Sequence, residues 1–89
     1  MTTVRIPPTL RAEVGGEREL LGAGETVREV LEDISNRYPA LEAQLFEDGS
    51  LAPFVNVYVG GEDVRTLDGL ETRVNGSSMI LLPAMAGGC

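Results

Sequence analysis

Polar and apolar residues alternate through Thr3-Val4-Arg5-Ile6, the period of a half-buried strand. Pro7-Pro8 ends it, because proline has no N–H to give to a sheet ladder. Gly15-Gly16 marks a turn and Glu17-Arg18-Glu19-Leu20-Leu21 reads as the returning strand, so the chain opens with a loose hairpin. After the break at Gly22-Ala23-Gly24, Thr26 and Glu29 form a capping-box signature. Val27, Val30, Leu31, Ile34 and Tyr38 then share one helical face, with Arg28, Glu29, Glu32, Asp33 and Arg37 on the other. The spacing predicts a helix over 26–38, stopped by Pro39, and a short helical turn through Leu41, Leu45 and Phe46 that lids the core.

Asp48-Gly49-Ser50 is a turn signal, and Phe54-Val55-Asn56-Val57-Tyr58-Val59 is the strongest strand, with three valines on one face. Gly60-Gly61 closes it with a tight turn, from which Asp63-Val64-Arg65 is expected to pair back. Leu67 and Leu70 are expected to plug the core edge, and Asn75-Gly76 makes a further turn. Met79-Ile80-Leu81-Leu82 is continuously apolar, as a central buried strand would be. One amphipathic helix laid on a small mixed sheet is the two-layer arrangement such an order allows, an α+β fold. Residues 1–83 form the expected domain, and Ala84-Met85-Ala86-Gly87-Gly88-Cys89 a tail too poor in side chains to pack.

At 89 residues the chain is long enough for one core. The longest apolar run, Met79–Leu82, falls far short of the ~20 residues that cross a bilayer, and no basic, apolar leader opens the chain. The expectation is a cytoplasmic protein with no membrane contact. A net charge of −7 repels phosphate backbones, which argues against nucleic acid. It serves solubility, or steering towards a basic dock on a partner.

Absences narrow the chemistry further. The sequence has no histidine and no lysine, and its single cysteine is the last residue. Ser-His-Asp and Cys-His nucleophilic arrangements are therefore impossible within one chain, as are an internal disulfide and a Cys/His zinc site. The paired glycines at 15–16 and 60–61 lack the GxxxxGK[ST] pattern of a phosphate loop and read as turns. Nothing points to a self-sufficient enzyme.

The tail is different. Gly87 and Gly88 have the most conformational entropy to lose on ordering, so the tail is expected to stay mobile. Extended from Pro83 to Gly88 it reaches about 20 Å, at ~3.3–3.6 Å per residue. Without Cβ atoms the two glycines could thread a slot closed to other residues. Phe54, Asn56 and Tyr58 fall on the strand face opposite the valines, where packing under the loop around Leu67 competes with a partner contact. Met85 is a second possible partner contact, methionine being adaptable.

The stretches VRIPPTLR, ETVREVLEDISNRYPAL, FVNVYVGGEDVR and ILLPAMAGG, in this order and spacing, resemble the ubiquitin-like sulfur carriers of the MoaD/ThiS family, most of all its cysteine-synthesis branch, the CysO carriers. The likeness runs from residue 4 to residue 88 and implies a β-grasp fold. It implies that a partner of the ubiquitin-activating type uses ATP to adenylate the carboxylate of Gly88, which a sulfur donor converts to a thiocarboxylate, with Gly87 giving access. In the cysteine branch it further implies a pyridoxal-phosphate cysteine synthase as acceptor and a JAMM-type zinc metallopeptidase for release. The carrier binds none of these cofactors; its partners use them. Carriers for molybdopterin, thiamine and thio-natural products share the tail, and a ubiquitin-like protein modifier would share it too.

Two departures stand out. Asn75-Gly76-Ser77-Ser78 replaces a turn that is often Asp-Gly-Asp-rich in relatives. Cys89 follows the diglycine, so Gly88 has no free carboxylate as written. Cys89 is read as an encoded cap that a peptidase trims, as a residue foreign to the natural chain, or as the cysteine-charged product, which has this same covalent sequence. A redox thiol is the weaker idea, since no neighbouring cation lowers its pKa from ~8.5.

Overall fold

In a computed structural model the described residues are 1–53 and 55–83. Strand β1, Thr2–Arg5, alternates inward Thr2 and Val4 with outward Thr3 and Arg5. Pro7 and Pro8 end it as expected, but the link to β2, Glu19–Gly22, is not a loose loop. Pro8 starts a 3-10 helix over Pro8–Val14, because its fixed φ suits the first helical position. Leu10 and Val14 are carried into the core, and Gly15 closes the helix in a left-handed conformation at φ 70°.

Helix α1, Val27–Arg37, follows the periodicity closely: Val27, Val30, Leu31 and Ile34 are all fully buried and Tyr38 packs against the core. Thr26 Oγ1 accepts the Glu29 N–H at 3.3 Å. The Glu29 carboxylate reaches one residue further back than a capping box requires, accepting the Glu25 N–H at 2.8 Å. Pro39 ends α1 and also opens α2, Pro39–Leu45, whose Leu41 and Leu45 are fully buried. A small hairpin follows, β3 at Phe46–Glu47 with β4 at Ser50–Leu51, turning on Asp48 and Gly49, both at positive φ.

Strand β5, Val55–Val59, buries Val55, Val57 and Val59 on the inner face. It pairs across the Gly60-Gly61 turn with β6, which spans only Glu62–Asp63. Of the short strand expected over Asp63-Val64-Arg65, only Asp63 pairs. Asp63 Oδ1 accepts the Arg65 N–H at 2.9 Å and turns the chain into a 3-10 helix at Val64–Thr66. That turn buries Val64 and leaves Leu67 42% exposed, so of the two leucines expected to plug the edge only Leu70 does so.

The last strand, β7 at Met79–Pro83, is central in a five-stranded mixed sheet ordered β2-β1-β7-β5-β6. It runs parallel to β1 and antiparallel to β5. α1 and α2 cover one face of this sheet, the β-grasp arrangement. Met79 and Leu81 point into the core, but Leu82 is 42% exposed and Ile80 half-buried. The continuous apolar run is thus central without being covered on both faces.

Candidate functional site

The register builds the uncovered face residue by residue. Arg5 on β1 lies opposite Glu19 on β2 and Ile80 on β7; Ile80 in turn faces Tyr58 on β5, and Tyr58 faces Asp63 on β6. One row therefore crosses all five strands with charged ends and an apolar middle. On one side of that row Leu82 pairs with Asn56; on the other, Leu21 on β2, 51% exposed, pairs with Thr3. Asn56 is held by the turn that follows β6: the Arg65 guanidinium donates to Asn56 Oδ1 at 2.6 Å and to the Ala52 carbonyl at 2.8 Å.

β7 carries the chain to the border of this face. Through Leu82 and Pro83 it stays in register with β5, where Asn56 is opposite Leu82 and Val55 opposite Pro83. A shallow depression of about 230 Å³ lies beside that end, between the Ile6-Pro7-Pro8 bend, Arg11 and residues Ile80 to Leu82. At Arg5 and Arg11 it meets a larger one of about 610 Å³ that also contains Arg18, Glu17 and Glu19. Arg11 Nε donates to the Ile6 carbonyl at 3.0 Å, which fixes its stem against the bend.

Of the residues singled out from sequence, Tyr58 is described, half-buried in the centre of the open face. Phe54, Met85, Gly87, Gly88 and Cys89 lie outside the described residues. Sequence reasoning passed over Ile80 and Leu82 because an unbroken apolar run conceals its period-2 division between two faces. It passed over Arg5, Arg11 and Arg18 because nothing in their spacing brings them together; the 3-10 helix does that. Among the described residues no group of three His, Cys, Asp or Glu side chains is placed to hold a metal ion, and no helix is long and apolar enough to cross a membrane.

Comparison with known proteins gives consistent matches. The model of the ThiS family matches residues 4–88. The sulfur carrier protein CysO of Mycobacterium tuberculosis is 40% identical over 90 residues, covering 97% of each chain. Among solved structures, a chain in the crystal structure of a BexX/CysO complex from Amycolatopsis orientalis superposes with a TM-score of 0.89 at 41% identity, over 94% of this chain and 96% of that one. The solution structure of small archaeal modifier protein 1 from Methanosarcina acetivorans gives 0.85 at 33% identity, over 98% and 95%.

Proposed function

The chain belongs to the ThiS family of ubiquitin-like sulfur carriers, and from that premise we propose that it delivers sulfide as a thiocarboxylate on Gly88, for cysteine synthesis, once Cys89 has been removed. The observation that carries this reading is the diglycine set just after a central strand: β7 ends at Pro83, and Gly88 follows five residues later. The body then serves as a handle, and the chain length from Pro83 to Gly88, at most about 20 Å, suffices to carry the terminal carboxylate into a partner's active site.

The chemistry divides between the tail and its partners. A Gly88 carboxylate oxygen is a poor leaving group, so it attacks the α-phosphorus of ATP on an activating enzyme and pyrophosphate departs. Sulfide from a donor then adds to the acyl carbon and expels AMP, leaving the thiocarboxylate. On a pyridoxal-phosphate synthase the thiocarboxylate sulfur adds to an activated serine-derived acceptor. An S-to-N acyl shift leaves cysteine amide-linked to Gly88, and a zinc metallopeptidase hydrolyses that bond. The adduct has the covalent sequence Gly87-Gly88-Cys89, so the same hydrolysis would remove Cys89 from this sequence and free the Gly88 carboxylate. Similarity to CysO of Mycobacterium tuberculosis supports the cysteine branch over the molybdopterin and thiamine branches.

The test uses the chain ending at Gly88, incubated with ATP, the activating enzyme of the same organism and sulfide. Intact mass should rise by the replacement of one oxygen by sulfur, and the gain should vanish with Gly88→Ala. An unchanged mass for the chain ending at Gly88 overturns the reading.

Likeness to small archaeal modifier protein 1 favours a second reading, a modifier that forms isopeptide bonds to lysines of other proteins. Having no lysine, the chain could not build polymers on its own side chains. Blotting cell extract for this chain separates the readings: a ladder of high-mass conjugates supports the modifier, a single band the carrier.

A further inference from the structure

Seven arginines stand against fourteen side-chain carboxylates in this chain, and four of the seven are committed to carboxylates or to local structure: Arg28 to Glu71 at 2.8 Å, Arg37 to Asp33 at 3.3 Å, Arg73 to Glu25 at 3.1 Å, and Arg65 to Asn56 and Ala52. The other three are Arg5, Arg11 and Arg18, and they line one depression. Arg11 spends only its Nε on the Ile6 carbonyl. Arg5 lies 3.7 Å from Glu19, a loose contact between two well-exposed side chains. Among the described residues the Arg18 guanidinium has no hydrogen-bond or carboxylate partner; only its backbone carbonyl is used, accepting the Ile6 N–H at 2.8 Å. Cations left over in an acidic protein, and collected in one place, call for an external anion.

Their position says which kind. The three-arginine depression joins, through Arg5 and Arg11, the one beside Leu81 and Leu82 at the end of β7. A small free anion is a poor fit, because Glu17 and Glu19 stand in the same lining and repel it. A protein surface can set its carboxylates against the arginines and leave both glutamates to solvent. The neighbouring apolar residues Ile80 and Leu82 supply area that a macromolecular partner would bury.

We propose that Arg5, Arg11 and Arg18, with Ile80 and Leu82, form a docking surface for a carboxylate-bearing protein, the enzyme that receives the tail. The inference rests on the carrier reading above and adds the sign and place of the contact. It reverses the expectation drawn from net charge: the chain is acidic as a whole, yet the surface beside its working end is basic and seeks an acidic dock. The bulk acidity, including Glu29, Glu32 and Glu42 on the helical layer, then disfavours docking in the wrong orientation.

The experiment measures binding of the full 89-residue chain to the activating enzyme of its own organism at 50 and 300 mM salt. Two double variants carry the same net charge: Arg11→Glu with Arg18→Glu, and Arg28→Glu with Arg73→Glu. The first should weaken binding at low salt by about tenfold or more and flatten the salt dependence; the second should stay within about threefold. Arg18→Glu alone, which removes no side-chain hydrogen bond or ion pair among the described residues, should weaken binding by about threefold, so a folding defect at Arg11 cannot decide the outcome. Equal losses in both doubles would mean that net charge alone matters and would overturn the proposal, as would wild-type affinity in the Arg11/Arg18 pair. Competition by millimolar phosphate as strong as that by equal ionic strength of chloride would assign the cluster to a small anion instead and also overturn it. If the wild-type chain does not bind the enzyme at all, both this inference and the carrier reading fall; a binding chain whose Gly88 form gains no sulfur sinks the carrier reading alone.

Discussion

A Cβ placed on Gly22 would lie 2.7 Å from Val30 Cγ1, because β2 passes directly beneath the second turn of α1. Its backbone φ is not in the left-handed region, so this glycine is required by space alone. Two residues on, Gly24 combines φ 153° with backbone atoms of Val30 and Glu29 at 2.8 and 2.9 Å from the same point. Side-chain methyls can shift; helical backbone cannot. Gly22→Ala should cost about 1–2 kcal/mol, overpacking of ~1–3 kcal/mol less the ~0.4–1 kcal/mol gained by stiffening the unfolded chain. Gly24→Ala should cost more. Thermal melts check the order, and a Gly24→Ala Tm equal to or above that of Gly22→Ala refutes it.

Adjacent residues of β7 should respond very unequally to the same truncation. Leu81 is 1% exposed and Leu82 42% exposed. Leu81→Ala is expected to lose about 2–5 kcal/mol through an unfilled core site, and Leu82→Ala under ~1 kcal/mol. Urea unfolding of the two variants reads the register directly. Comparable losses would mean that the outer face is covered.

Strand β2 is an edge of the sheet, and α1 guards it. The Arg37 guanidinium donates to the Leu21 carbonyl, while the Ala23 N–H donates to Asp33 Oδ2 at 3.0 Å. Free edge groups invite pairing with another chain. The Asp33→Ala, Arg37→Ala double variant should sediment as a concentration-dependent mixture under conditions where the parent chain does not. A variant with unchanged sedimentation removes the guarding role.

Ser35 is 4% exposed in the last turn of α1, and its Oγ has no hydrogen-bond partner among the described residues. A buried, unpaired hydroxyl costs about 1–3 kcal/mol, and alanine is the better helix former. Ser35→Ala should therefore raise stability by about 1 kcal/mol, near 4–8 °C in Tm for a domain of this size. A lower Tm would show that the hydroxyl is paired in solution.

Much of this architecture was legible in the chain itself. The α1 stripe from Val27 to Ile34, the valines of β5 and the turns at Gly60-Gly61 and Asn75-Gly76 are local patterns, decided by backbone sterics and period. The candidate site was legible in part. Tyr58 was placed on the outer face by alternation, whereas the diglycine was singled out by its composition and by the resemblance that gives it a role.

The amino-acid sequence alone determined the main helix, the principal strands and their order, because helix and strand periods and glycine and proline positions act over a few residues. Only the tertiary structure decided that β7 sits between β1 and β5, that Ile80 and Leu82 look outward while Leu81 looks in, and that Arg5, Arg11 and Arg18 share one depression. Those are pairings between distant segments. An apolar run carries no mark of which face will be covered, and three cations spread over fourteen positions become neighbours only when a 3-10 helix folds the link between two strands.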